Sequence, residues 1–132
     1  MKIIDCFMYY DEEMILDIRL NIMDKYVSHF IICEANFNHN GTKRELQFNI
    51  NNFKNFKEKI IYIPLKYQPK NLRRIDKLDG QHLMNSKILD NALLRENFQR
   101  NHLLTKIKDF DENDLIIISD VDEIPDLSNF KY

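Results

Sequence analysis

The stretch Asp114-Leu115-Ile116-Ile117-Ile118-Ser119-Asp120-Val121-Asp122-Glu123-Ile124-Pro125 decides how the rest of this chain is read. Leu115 to Ile118 is an unbroken apolar run with three β-branched residues, which predicts a strand buried on both faces of a parallel sheet. The run ends in acid. If residues 120–122 stay extended, Asp120 and Asp122 point to one side with Cα atoms about 6 to 7 Å apart, near enough to share one cation, and Val121 points to the other. Pro125 has no N–H to continue pairing, so a loop is predicted next. Carboxylates at the carboxyl end of a buried strand stand where open α/β sheets bind ligands. The plain alternative is a solvated strand end running into a turn.

Immediately upstream, residues 81–108 read as one long helix. Leu89, Leu93, Glu96, Arg100, Leu103 and Ile107 recur at spacings of four and three, so Glu96 and Arg100 interrupt an otherwise apolar stripe and lie four residues apart. A charged pair on a partly buried face is either an internal strut or part of a ligand site, and Arg95 and Asn101 stand beside it. Because this helix leads into the acidic strand, its side chains could reach the same strand ends as Asp120.

Further out, Lys2 to Tyr9 predicts a first strand broken only by Asp5, and a helix follows with acids at its first turn. Ile15, Ile18, Ile22 and Tyr26 beside Leu16, Leu20, Met23 and Val27 give that helix a broad apolar face, expected to be core. His29 to Cys33 predicts a second strand ending in Glu34-Ala35-Asn36, and this β-helix-β unit implies parallel strands. Residues 36–52 read as a long polar loop with a short extended piece at 45–48, and Asn40-Gly41-Thr42 as a turn. A short helix around Phe53 and Phe56 and a third strand over 59–65 come next. The basic segment 66–77, with Arg73-Arg74, is either a solvated loop or a flap facing an anion or acceptor.

Composition sets outer bounds. A chain of 132 residues, 44% hydrophobic and 30% charged, holds a single domain with a real core. Its net charge of −2, with acids and bases interspersed, argues against general nucleic-acid binding. No apolar run approaches the roughly 20 residues of a membrane span, and no secretory signal is evident. The expected location is therefore cytoplasmic, or peripheral to the inner face of a membrane. Cys6 and Cys33 fall in predicted strands and are expected to be buried, reduced thiols.

Taken in order, Asp5-Cys6-Phe7, Glu34-Ala35-Asn36-Phe37, Arg95-Glu96-Asn97-Phe98-Gln99-Arg100-Asn101 and the closing Ile-rich strand with Asp-x-Asp-Glu-Ile-Pro resemble glycosyltransferase family 17 across nearly the whole chain. This is the family of the β-1,4-mannosyl-glycoprotein N-acetylglucosaminyltransferase. The resemblance implies an α/β, GT-A nucleotide-diphospho-sugar-binding fold with a mainly parallel sheet and helices on both faces. It also implies inverting transfer from a donor such as UDP-N-acetylglucosamine to a glycan or lipid-linked saccharide acceptor.

A departing diphosphate gathers negative charge that a divalent ion can neutralise, and oxygen ligands suit Mn²⁺ or Mg²⁺. On this reading Asp122 is the direct metal ligand, and Asp120 serves the ribose hydroxyls and metal-bound water. Glu34 and Asn36 are placed for ribose or base. Arg100, with Arg95 and Asn101 nearby, meets the diphosphate or steadies the acidic pair. Phe7 to Tyr9 lie against the base or simply pack. In GT-A enzymes the general base comes from the half that follows the metal motif, so it is expected beyond Tyr132, and the chain is expected to be either a donor half or a naturally short relative. An open sheet edge would favour pairing between copies. Two other functions stay open: a non-catalytic nucleotide-sugar or protein-binding module, and an Mg²⁺-dependent phosphohydrolase using Asp-x-Asp.

Overall fold

The computed structural model describes residues 1–131. Four strands form one parallel sheet: β1 (Ile3–Tyr9), β2 (His29–Ala35), β3 (Ile60–Leu65) and β4 (Leu115–Ile118), in the order β3-β2-β1-β4. Helix α1 (Glu13–Met23) joins β1 to β2, and a 3-10 helix over Ile50–Phe56 precedes β3. Helix α2 (Gln81–His102) and the short α3 (Leu104–Ile107) lead to β4.

The strands alternate between two cores. Ile3, Phe7 and Tyr9 of β1 face one way and pack with Leu16, Leu20 and Met23 of α1 and with Phe53 and Phe56. Ile4 and Cys6 face the other way and pack with Ile31, Cys33 and Leu103, with Phe98 and Ile107 against them. Helices therefore cover both faces, as expected of a parallel sheet, whose strands need apolar cover above and below.

Several local expectations change. β4 is an edge strand, paired only with β1, and is not buried on both faces; Ile118 is 48% exposed. The extended conformation expected for residues 120–122 is replaced by a turn, closed by the Glu123 N–H donating to the Asp120 carbonyl at 3.0 Å. Val121 still turns inward, into the α1-side core. On α1, Ile18 and Ile22 are exposed, and Arg19 takes the buried position between Leu16 and Leu20. On α2, Leu89 and Leu93 are 66% and 57% exposed, and the buried side chains are Asn91 and Gln99. The predicted single helix over 81–108 is two helices that break at Leu103. Residues 45–48 form no strand; the nearest pairing is an isolated antiparallel bridge between Phe37 and Lys43. The turn at Asn40-Gly41-Thr42 is present, with Gly41 at φ 93°, where a side chain would be strained. Cys6 and Cys33 are free and buried.

Candidate functional site

The chain runs from β1 through β2 to β3 toward one edge, then returns to place β4 on the other side of β1. Such a reversal leaves a crevice at the carboxyl ends of the flanking strands. A cleft of about 490 Å³ lies there, in the size range of small-ligand sites. Met8 and Tyr9 line it from β1, and Tyr10 from just beyond. Phe37, Asn38 and His39 line it from beyond β2, and Asp120, Val121 and Asp122 from beyond β4.

The acidic turn is held from beneath by Arg19. Its guanidinium donates to both carboxylate oxygens of Asp5, at 2.8 and 2.7 Å, and to the Ser119 hydroxyl at 2.7 Å. Its Nη1 donates to the carbonyls of Asp120, Val121 and Glu123, at 2.7, 3.1 and 3.0 Å. Asp5 and Arg19 are both 0% exposed. A buried charge is tolerated only when paired and fully hydrogen-bonded, and here every donor direction of the fork is used. Asp5 can meet Arg19 because it alternates onto the α1 face of β1 along with Ile3 and Phe7.

Above the turn, the Arg100 Nη2 lies 3.2 Å from Asp120 Oδ1 and 3.2 Å from Glu96 Oε1, so one cation bridges the helix to the acidic motif. All three side chains are over a third exposed, which leaves the contact weak and exchangeable. Asp122 has no hydrogen-bond or ionic partner among the described residues, although it lines the cleft. The Glu123 carboxylate accepts from the Asp120 N–H at 3.0 Å and so belongs to the turn itself.

The other residues singled out from sequence take varied places. Phe7 is fully buried beneath the cleft, with the Arg19 guanidinium 4.5 Å from its ring centre, so Tyr9 and Tyr10 form the aromatic edge instead. Glu34 is 0% exposed. Its carboxylate accepts from Arg44, from the Gln47 and Phe48 N–H groups and from the Tyr62 hydroxyl, leaving it no free face toward a ligand. Burial first, and then that bond to Glu34, push the Tyr62 phenol well above its usual range. Asn36 is half-buried and engages through its backbone, to Leu65 and Arg44. Arg95 donates to Gln68 and to the His39 carbonyl, and its guanidinium sits against the face of Gly41 that a Cβ would occupy. Asn101 is exposed on α2.

Sequence reasoning passed over Arg19, Arg44, Tyr10, Asn38, His39 and Gln99. Arg44 donates to the carbonyls of Ala35 and Tyr10 and covers the Tyr10 ring at 4.2 Å, tying the loop after β2 to the end of β1. Arg19 did carry a signal: it falls at the buried spacing from Leu16 and Met23, opposite a strand with an acid in it. Arg44 and His39 carried none, since loop residues have no period to violate.

The rim is acidic. Burial lifts the Tyr9 phenol to about 12, and the neighbouring Glu13, Glu34, Glu12 and Asp11 add to the rise. Among the described residues no group of three or more His, Cys, Asp or Glu side chains could hold a metal alone. Asp120 and Asp122 do offer two hard oxygen donors at one cleft, which suits a Mg²⁺- or Mn²⁺-type ion that fills the rest of its shell with water and phosphate oxygens. No helix of the described residues is long and apolar enough to cross a membrane.

Among known proteins, the family model described as Glycosyltransferase family 17 matches residues 1–132, the whole chain. No curated protein and no solved structure matches it.

Proposed function

Because this chain belongs to glycosyltransferase family 17, an enzyme family of glycosyl transfer, we propose that its cleft binds a UDP-sugar, N-acetylglucosamine being the sugar carried, for inverting transfer to a glycan or lipid-linked saccharide acceptor. The observation that carries this reading is that Asp120 and Asp122 line one cleft at the reversal of strand order, with a cation, Arg100, already beside Asp120. On this reading the whole chain is one nucleotide-sugar-binding domain of GT-A type.

Asp122, the unpartnered carboxylate, is the direct ligand for Mn²⁺ or Mg²⁺, and Asp120 supports it and the ribose. The ion, when bound, supplies positive charge to a departing diphosphate without any proton transfer. Arg19 keeps the turn backbone in place while that charge develops, so the carboxylates need no rearrangement. Arg100 offers its guanidinium to phosphate oxygens at the same place. Met8, Tyr10 and Phe37 give the apolar wall a flat base requires.

A phosphohydrolase is disfavoured by a specific contact. Such an enzyme places its Asp-x-Asp pair after the first strand, whereas here the pair follows β4, and Asp5 within β1 is buried and bound at both oxygens by Arg19.

Calorimetric titration with UDP-N-acetylglucosamine, with and without Mn²⁺, tests the proposal. Metal-dependent binding that Asp122→Asn removes is the expected result. Binding that ignores both the metal and that substitution would overturn it. Slow donor hydrolysis would separate an active site from a binding module.

A further inference from the structure

We propose that Asn38 and His39, in the loop beyond β2, read the nucleoside half of the donor through its O–H or N–H groups. The inference rests on the nucleotide-sugar reading above and names residues within that site.

The tautomer of His39 follows from its neighbours. Gln99 Nε2 donates to the Cys33 carbonyl at 3.1 Å, and a carbonyl can only accept, so the Gln99 amide cannot be reversed. Gln99 Oε1 therefore faces His39 Nε2, 3.2 Å away, and that nitrogen must carry the proton. In the neutral ring Nδ1 is then a bare acceptor. It has no hydrogen-bond partner among the described residues, and His39 lines the cleft.

Its neighbour repeats the pattern. Thr42 Oγ1 donates its proton to Asn40 Oδ1 at 2.7 Å, so it can only accept from Asn38 Nδ2, also 2.7 Å away. This fixes the Asn38 amide and leaves Oδ1 as the one buried side-chain nitrogen or oxygen without a hydrogen-bond partner among the described residues. A buried acceptor left unpaired is costly, and such exceptions mark places where something else completes the bond. Asn38 lines the cleft, so a donor on a bound ligand can complete this oxygen's bond once a small turn of the amide exposes it.

Two adjacent unpaired acceptors select the ligand's chemistry. Phosphate oxygens also only accept, so this corner repels the diphosphate and suits a neutral group bearing donors. Its position agrees. The acidic turn leaves β4 and the Asn38-His39 loop leaves β2, with β1 between them, so the two lie about two strand spacings apart, roughly 10 Å. A nucleotide can span that gap with its phosphates at the acids and its nucleoside at the loop. Tyr10, covered by Arg44, lines the cleft between them.

The test is calorimetric titration, in Mn²⁺, with UDP, N3-methyl-UDP, 2′-deoxy-UDP and 3′-deoxy-UDP. Wild-type protein should lose about tenfold or more in affinity for at least one analogue, the size expected when an acceptor is left unpaired. Loss with the methylated base assigns the base edge, and loss with a deoxy sugar assigns the diol. His39→Gln keeps an amide nitrogen near the Nε2 position for Gln99 and has nothing at Nδ1, and Asn38→Ala removes the orphan oxygen. In these variants the preference for UDP over that analogue should shrink. Equal affinities across all four ligands in wild type would overturn the inference, as would a preference undiminished in both variants. The wild-type comparison stands whether or not a variant folds. Failure of UDP itself to bind would instead remove the nucleotide-sugar reading, and this inference with it.

Discussion

Nη1 of Arg19 lies 2.7 Å from the carbonyl oxygen of Asp120, 101 residues further along the chain, while the same guanidinium is bidentate to Asp5. The first strand, the first helix and the acidic turn are thus joined through one buried cation. Removing one partner strands a charge in the core, so Asp5→Asn or Arg19→Met should cost about 3 to 5 kcal/mol in urea melts. The double substitution Asp5→Leu with Arg19→Met should recover part of that, because an apolar pair has no charge to desolvate. It still leaves three turn carbonyls without their donor. Mn²⁺ affinity should therefore stay reduced in the restored double variant, and full recovery of both properties would reduce Arg19 to a packing role.

Arg100 leads to a prediction whose sign is diagnostic. It lies beside Asp120 in the free chain, where it competes with any metal for that carboxylate. It is equally placed to meet a phosphate. Arg100→Gln should then tighten Mn²⁺ alone, by a factor of a few for so exposed a pair, and weaken UDP in the presence of Mn²⁺. Mn²⁺ titration followed by electron paramagnetic resonance, with and without UDP, reads both. A fall in both affinities would make Arg100 a simple support of the turn.

How far the sequence could be read depends on what each signal encodes. Apolar runs located all four strands and the parallel β1-α1-β2 unit, because burial of a strand leaves a direct mark on composition. Period alone does not say whether a neighbour is there to cover the stripe. Leu89 and Leu93 keep helical spacing yet are exposed, while Gln99 is buried because it satisfies the Cys33 carbonyl. The acidic motif was visible, but its geometry was not, since Arg19 draws residues 120–123 into a turn through contacts about a hundred residues away. Glu34 looked like a site residue at a strand end, and its engagement with Arg44 and Tyr62 depends on where the loop after β2 folds back.

Gly41 should accept a side chain only at a cost. Its φ of 93° disfavours an L residue, and an added Cβ would stand 2.6 Å from the Arg95 Nη2. Gly41→Ala should cost on the order of 1 to 2 kcal/mol and push Arg95 off its bond to the His39 carbonyl. Thermal melts check the first effect. Weaker UDP binding at equal folded fraction checks the second, because this loop lines the cleft.

The two cysteines should be chemically silent in the native protein. Burial pushes the Cys6 thiol up to about 12, with Asp5 raising it and Arg19 lowering it, and burial with Glu34 does the same for Cys33. Only the thiolate reacts, so at pH 8 an aromatic disulfide reagent should label neither residue until urea unfolds the chain, and then both. Labelling of folded protein on the time scale of a free thiol would show that the core around β1 and β2 opens.

Stability should also respond to pH through His29, at the start of β2. Burial, and then the positive charges of Lys2 and Lys59, hold its pKa below the ordinary 6.5. The unfolded chain therefore takes up the proton at a higher pH than the folded one. Stability is complete above about pH 6.5 and declines as the pH drops from there through the lower folded value. Asp79, Asp111 and Asp126 are held below 3.8, chiefly by hydrogen bonds, so their contributions are lost only as the pH falls toward that value. His29→Gln keeps a polar side chain and cannot titrate, so the drop in urea midpoint between pH 7.5 and pH 5 should be smaller in the variant than in wild type. An equal drop would place the pH response elsewhere, and a larger one would mean that His29 gains a partner for its charged form on folding.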